Sequence, residues 1–334
     1  MSLTMTKQEI MDVFRMSREQ YEDEYMKPAF ELMLEKKGGA VATAMLGYSN
    51  ICKNQCLYCG MRAGNHLPKR YRFTAEEILG LVRQSYEAGM RRLFLISGED
   101  PKYPFENLLQ VIDQAKAMGF TRISLGAGEF SLEQFKELKA AGLDEYVMKF
   151  EMSHKDTFER LNPSTTFEKR NQGLEWIKAA GLDLGSGNII DYPGQTLDEL
   201  ADDILLMKEL DITWAPNIPF MPAAGTPLSV GEDGKPSRPG SIDVLHREIS
   251  LTRLLLPNTD ITAQQPGTDL TKGLSHPEGN KIRRSPRAIL HFAFLIVADK
   301  ENRAVTVALG YGSFCDAIVD DPLKDGKEVI EIKD

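Results

Sequence analysis

The sequence predicts an α/β fold, a (β/α)8 barrel of the TIM type behind an N-terminal helical extension. Three observations carry this. Strand-like and helix-like segments alternate through most of the 334 residues, the mark of parallel β packing with crossover helices. Several of the helical segments open on Thr or Ser and stop at Gly, so their limits are punctuated. A doubly wound open sheet gives the same alternation, but this many units without a nucleotide-binding fingerprint favours the barrel.

Residues 6–36 mix apolar and charged side chains at helical spacing, with no Gly until Gly38, and read as helix. We assign 1–40 to the extension and 41–334 to the barrel. VATAMLGYS (41–49) is the first strand candidate, and TAEEILGLVRQSYEAG (74–89) the first barrel helix, capped by Thr74 and ended by Gly89. RRLFLIS (91–97), TRISLG (121–126), EYVMKFE (145–151), LDLGSGNII (182–190), ITWAPNIPF (212–220) and DITAQQ (260–265) supply six more strands. Helices fall between them at 105–119, 131–142, 165–181, 196–210 and 241–256. After about residue 266 the rhythm lapses. A loop-like stretch is followed by two β-like runs around a D-K-E-N turn, and no eighth βα unit can be placed, so the barrel is expected to be incompletely closed at its C-terminal end.

Composition narrows the setting. Four cysteines, Cys52, Cys56, Cys59 and Cys315, are too few and too unevenly placed for a disulfide framework. The N-terminus has no signal-peptide pattern and no apolar run is long enough to span a bilayer. A reducing cytoplasm is the expected home. A net charge of −9 argues against non-specific attachment to nucleic acid or to an anionic membrane. The basic clusters PKRYR (68–72) and KIRR (281–284) remain available to an anionic ligand.

Three thiols fall within eight positions, spaced C-x3-C-x2-C. In a barrel they follow the first strand, in a loop at the carboxyl ends of the strands, where active sites of this fold are built. A structural zinc site generally takes four ligands, often in short-spaced pairs. Here Cys315 stands alone and the five histidines form no short-spaced pair. Iron–sulfur clusters normally take four thiolates. Three without a fourth suggest a [4Fe–4S] cluster with one iron left for another ligand.

The C-x3-C-x2-C spacing, with Tyr58 before the last cysteine, resembles the signature of the radical S-adenosylmethionine (SAM) superfamily. The resemblance implies that SAM chelates the open iron and is cleaved by one electron to methionine and a 5′-deoxyadenosyl radical. It also implies site residues. Gly98, Glu99 and Asp100 in LISGEDP (95–101) would face the SAM amino group, although such a strand end can also be a plain turn. Glu151 would suit the ribose hydroxyls. Arg170 would suit the SAM carboxylate, which a guanidinium fork can bind bidentately; without the family pattern it reads as a solvated helix charge. Ile190 would lie against adenine, with Gly194 in the following turn, where an ordinary strand-to-helix connection is the alternative.

SNICKNQCLYCGMR, SGEDPKY, NPSTTFEKR, YPGQTLDELADDI and PFMPAAGTPL further resemble the biotin-synthase-like branch. Above all they resemble the [FeFe]-hydrogenase maturase HydE and methylornithine synthase group, over about residues 40–260. Departures accompany the likeness. Gln264 and Gln265 stand where that group has a Thr-rich stretch, Gly126 where it has Ser, and Lys149 where it has Arg. Lone Cys315 cannot hold an accessory cluster, and 267–334 match poorly.

The expected function is therefore reductive SAM cleavage in a HydE-like maturase. The resemblance implies a small-molecule or organometallic substrate, a cysteine-bound iron carbonyl–cyanide precursor, with Arg62, Lys149 and Gln264 as substrate candidates. A flavodoxin- or ferredoxin-type donor would supply the electron. An amino-acid mutase like methylornithine synthase is the alternative. A non-catalytic iron–sulfur carrier is the third reading, though a carrier needs none of the SAM-facing residues.

Overall fold

A computed structural model of the chain describes residues 3–37 and 43–262, together with two short strands at 297–298 and 304–305. The N-terminal segment, expected as one helix, is divided. Helix α1 (Lys7–Arg15) ends where Met16 turns extended (φ −62°, ψ 152°). Ser17 then caps α2 (Arg18–Tyr21), a π-helical turn follows at Glu22–Met26, and α3 (Lys27–Lys37) completes the run. Ser17 stops the first helix because its hydroxyl takes the Gln20 N–H at 3.2 Å and restarts the count.

The barrel alternation runs β1 (Ala44–Ser49), α4 (Ala75–Glu87), β2 (Arg92–Ser97), α5 (Phe105–Met118), β3 (Arg122–Gly126), α6 (Leu132–Ala140) and β4 (Glu145–Val147). It continues with α7 (Lys155–Leu161), α8 (Phe167–Ala179), β5 (Asp183–Gly185), β6 (Ile189–Ile190), α9 (Leu197–Glu209), β7 (Trp214–Ala215), β8 (Ile218–Pro219), α10 (Ile242–Leu255) and β9 (Asp260–Ile261). The caps read from sequence are in place. Thr74, Ser131 and Thr196 each accept the N–H three residues on, and Glu77, Gln134 and Glu199 return the bond. Helix α7 was not anticipated, and strands five and six are each interrupted. In the sixth, Pro216 has no N–H to continue a ladder. The chain pairs as β7 in the main sheet and as β8 with β6 in a second, two-stranded sheet.

The main sheet has seven parallel strands in the order β1-β2-β3-β4-β5-β7-β9. It is curled into a half-barrel. Laid flat, β2 and β7 would stand roughly 19 Å apart at four strand spacings. Yet the Phe94 and Trp214 rings meet edge-on at 4.8 Å between centroids. Among the described residues there is no eighth parallel strand, and the sheet these residues form is open between β9 and β1. Within the two late runs, β10 (Val297–Ala298) pairs antiparallel with β11 (Ala304–Val305); the rest of 263–334 lies outside the described residues.

Helices α1–α3 cover the outside of α9 and α10. Lys7 reaches Asp198 and Asp202, both at 2.7 Å, and the Tyr21 hydroxyl meets Ser250 at 2.8 Å. Among the described residues no helix is long and apolar enough to cross a membrane.

The amino ends of the strands form a charged floor. Arg92, Arg122, Glu145, Asp183 and Asp260 are each the first residue of their strand. Asp260 bonds Arg92 at 2.5 Å and Lys37 at 2.8 Å, tying β2 and α3 to β9 across the open side. Burial pushes the Asp260 carboxyl up, but the two cations outweigh it and hold the group down to about 2, against an ordinary 3.8. A depressed carboxylate gives its full stabilisation above its unfolded value and loses it as pH falls toward its folded one. Asp260→Asn should therefore cost ~2 kcal/mol at neutral pH. The deficit should shrink between pH 4 and 2, read by urea unfolding of the cluster-free chain. A deficit that does not change with pH would contradict this pairing.

Candidate active site at the carboxyl ends of the strands

The cysteine loop leaves β1 and is fixed before any metal is considered. Arg70 donates to four backbone carbonyls, those of Asn50 (2.5 Å), Met61 (2.8 Å), Arg62 (2.7 Å) and Asn65 (2.8 Å). Asn50, fully buried, donates to the Lys69 carbonyl and accepts from Tyr71 N–H, both at 2.9 Å. The loop is also tied to the end of α7, through Leu57 N–H to the Leu161 carbonyl and Gln55 N–H to Ser164 Oγ. Cys52, Cys56 and Cys59 are in no disulfide, and all three line one cavity of about 380 Å³. Burial pushes the Cys52 thiol up, and burial with the nearby Glu151 charge pushes Cys56 up to about 12.

A second wall is the end of β2. A Cβ on Gly98 would lie 2.4 Å from the Ile51 carbonyl oxygen and 2.7 Å from Cys52 Cβ, so only glycine lets this strand pass the cysteine loop. Gly98 N–H bonds the Ser49 carbonyl and Lys53 N–H bonds the Glu99 carbonyl. The Glu99 carboxylate is clamped by the same loop, through Lys53 at 2.6 Å and Asn54 at 2.8 Å. Gly128 (φ 95°) passes so close that a Cβ there would meet Glu99 Cγ at 2.2 Å.

The third wall comes from the extension of β4. Glu151 has φ 66°, the left-handed region that a residue with a side chain enters at a cost. Its Oε2 is buried and, among the described residues, accepts no hydrogen bond, although Lys149 Nζ stands 3.4 Å away. Arg170, at the start of α8, donates to Glu129 at 3.1 Å and to the Lys149 carbonyl. Burial pushes the Glu129 carboxyl up, but Lys169 and Arg170 outweigh it and hold it low. Tyr58 donates to Asn162 Oδ1 at 2.6 Å. Deeper in, Met45, Phe94, Ile96, Met148 and Trp214 make the interior apolar.

Of the residues expected from sequence, the cavity gathers Cys52, Cys56, Tyr58, Cys59, Gly98, Glu99, Gly126, Lys149, Glu151 and Arg170. Four do not line it. Asp100 turns away because Arg72 takes both of its oxygens, at 2.6 and 2.8 Å, beside Ser49 Oγ. Ile190 belongs to the main core, and its neighbour Ile189 faces the cavity instead. Gly194 sits in an open turn at φ 88°. Arg62 reaches back to the Gln55 carbonyl at 3.3 Å. Gln264 and Cys315 lie outside the described residues, as does KIRR. The two arginines of the PKRYR cluster are already engaged, since Arg70 serves carbonyls and Arg72 serves Asp100. Sequence reading missed Asn50, Arg70, Asn54, Glu129 and Asn162. Asn50, Asn54 and Asn162 fall within the motifs that carry the family resemblance without being singled out, and Arg70 lay in a basic cluster whose meaning was misread.

These residues fit an iron–sulfur cluster with SAM. Three soft thiol donors converge on one cavity, and a metal there would favour the thiolates that burial disfavours. The buried Glu151 Oε2 faces Lys149 Nζ at 3.4 Å but accepts no hydrogen bond among the described residues, which leaves it acceptor capacity for a donor such as a ribose hydroxyl. Comparison with known proteins agrees. Residues 46–207 match the family model of the Radical SAM superfamily. The [FeFe] hydrogenase maturase subunit HydE of Thermotoga maritima is 33% identical over 259 residues, 77% of this chain and 72% of that one. Biotin synthase of Rippkaea orientalis is 29% identical over 219 residues, 63% of this chain and only 57% of its own length. Two solved structures share the fold. Methylornithine synthase has a TM-score of 0.77 over 98% of this chain and 90% of its own, at 20% identity. The hydrogenase maturase HydG has 0.70 over 87% and 64%, at 22% identity. The chain belongs to the radical SAM superfamily, in the branch that holds biotin synthase and the HydE maturases.

Proposed function

We propose that this enzyme is a maturase of the HydE kind, acting on a cysteine-bound iron carbonyl–cyanide precursor of the [FeFe]-hydrogenase cofactor. One observation carries the proposal. The Thermotoga HydE is 33% identical over 259 residues, against 29% and 26% for two biotin synthases matched over 219 and 273 residues.

When bound, the cluster and SAM supply the one-electron reductive cleavage of SAM that is general to the superfamily. The chain's own part is binding and exclusion. Cys52, Cys56 and Cys59 hold the cluster. Glu151 would accept from the ribose hydroxyls, and Arg170, held by Glu129 and the Lys149 carbonyl, would take the SAM carboxylate. The Gly98–Glu99 segment flanks the SAM amino group. Phe94, Met148 and Trp214 keep water from the inner cavity, where substrate would enter. Lys149 gives that space a point charge for an anion or carboxylate. Lys149→Ala is expected to raise KM for substrate several-fold and to affect SAM affinity less; equal losses in both would misplace the substrate pocket. A flavodoxin- or ferredoxin-type protein is the reductant we assign, in a reducing cytoplasm.

The test is anaerobic. The reconstituted, reduced enzyme replaces HydE in a hydrogenase maturation mixture, and separate reactions receive the iron precursor or lysine. Restored hydrogenase activity with 5′-deoxyadenosine is the expected result. Lysine rearrangement without maturation would make the chain a mutase. SAM cleavage with neither would sink the maturase assignment.

A further inference from the structure

Behind the wall that carries Glu151 lies a buried polar cluster whose residues do not line the cavity. Asp203 on α9 is 1% exposed, and Asn188 and Glu248 are fully buried. Asp203 Oδ1 accepts Ser153 N–H at 2.8 Å, and Oδ2 accepts Asn188 Nδ2 at 3.1 Å and Gln195 Nε2 at 3.2 Å. These three donors belong to the two segments that meet at Glu151. Ser153 is two residues beyond it on the same strand extension. Asn188 is its bridge partner across the gap, where Glu151 N–H bonds the Gly187 carbonyl and Ile189 N–H bonds the Glu151 carbonyl, both at 3.1 Å. Gln195 also donates to the Ile189 carbonyl at 3.3 Å and accepts from Asp191 N–H.

One carboxylate thus pins both sides of the bridge at which Glu151 is bent to φ 66°. Strain of this kind persists only where the surroundings over-determine it. We propose that Asp203 is a positioning residue for SAM binding, holding Glu151 in its left-handed conformation through Ser153, Asn188 and Gln195. The proposal rests on the assignment of Glu151 to the SAM ribose.

The chemistry requires an ionised carboxylate. Three N–H groups aim at two oxygens, which a carboxylate can accept in full and an amide cannot. In Asp203→Asn one side of the group becomes a donor facing donors, with almost no change of shape. Glu248 reaches the same network at Asn188 Nδ2, 3.3 Å away. Burial pushes both carboxyls up, Asp203 to about 6 and Glu248 well above its ordinary value, so at neutral pH Glu248 is the one that holds a proton and Asp203 carries the charge.

The experiment is a double-mutant cycle on cluster-reconstituted enzyme, with SAM affinity measured by anaerobic calorimetry and iron content and thermal midpoint measured beside it. Asp203→Asn should weaken SAM roughly tenfold, the scale of one hydrogen bond to a charged group, with iron content unchanged. In a Glu151→Ala background the same change should alter SAM affinity by less than about twofold, because its route is gone. Gln195→Ala, which removes one donor at a partly exposed position, should show a smaller loss with the same dependence and serves if Asp203→Asn does not fold. Equal losses with and without Glu151 would overturn the positioning role. Full SAM affinity in Glu151→Ala alone would instead overturn the ribose assignment on which it rests.

Discussion

Cys56→Ala is expected to bring 5′-deoxyadenosine formation to background and to leave no SAM-responsive [4Fe–4S]⁺ signal in EPR. Three thiolates are all that the described residues offer this cavity, and with two the cluster loses an anchor that nothing nearby replaces. Changes one step removed from a metal cost 10–100-fold in affinity or activity as a rule, so loss of a ligand should exceed about a hundredfold. The chain itself should survive the substitution. Arg70 holds the loop through four carbonyls and Asn50 through two further bonds, none involving a thiol. Unchanged circular dichroism with iron lost is therefore the expected pair of results. A variant that rebuilds its cluster and still cleaves SAM would remove Cys56 from the ligand set.

The parts of this architecture legible in the sequence are those set by local chemistry. The helix starts at 74, 131 and 196 are legible because each opens on Thr or Ser, and Glu77, Gln134 and Glu199 three residues on complete capping boxes there. The C-x3-C-x2-C spacing needs no tertiary information either. What depended on distant partners was less legible. Arg70 and Arg72 looked like a basic patch, because a sequence does not show that four carbonyls and Asp100 have already claimed them. Ile189 and Ile190 are adjacent and alike, and a one-residue register decides which faces the cavity. Nothing local marks Asp203 out within the helical segment 196–210. Its role depends on two segments 50 and 15 residues away in the chain.

Gly98→Ala should cost both cluster and SAM, and it distinguishes the close approach of two backbones from a general loss of stability. The added methyl has no flexible side chain to displace. It meets the Ile51 carbonyl oxygen at 2.4 Å and Cys52 Cβ at 2.7 Å. Relief requires β2 and the cysteine loop to separate, yet Gly98 N–H to the Ser49 carbonyl and Lys53 N–H to the Glu99 carbonyl bind them on either side of the clash. Separation breaks those bonds and carries Cys52 and Glu99 apart. Iron content after reconstitution should fall, and residual loaded enzyme should bind SAM at least tenfold more weakly, about the loss of one or two hydrogen bonds. Gly80→Ala is the matched control. Gly80 lies within α4 with nothing within 4 Å of its added methyl, so the change should stabilise the helix by up to ~1 kcal/mol and leave the cluster alone. Gly98→Ala with full iron and unaltered SAM affinity would mean that the two walls can part without moving the thiols. The geometry argues the reverse, since the clash falls on Cys52 itself.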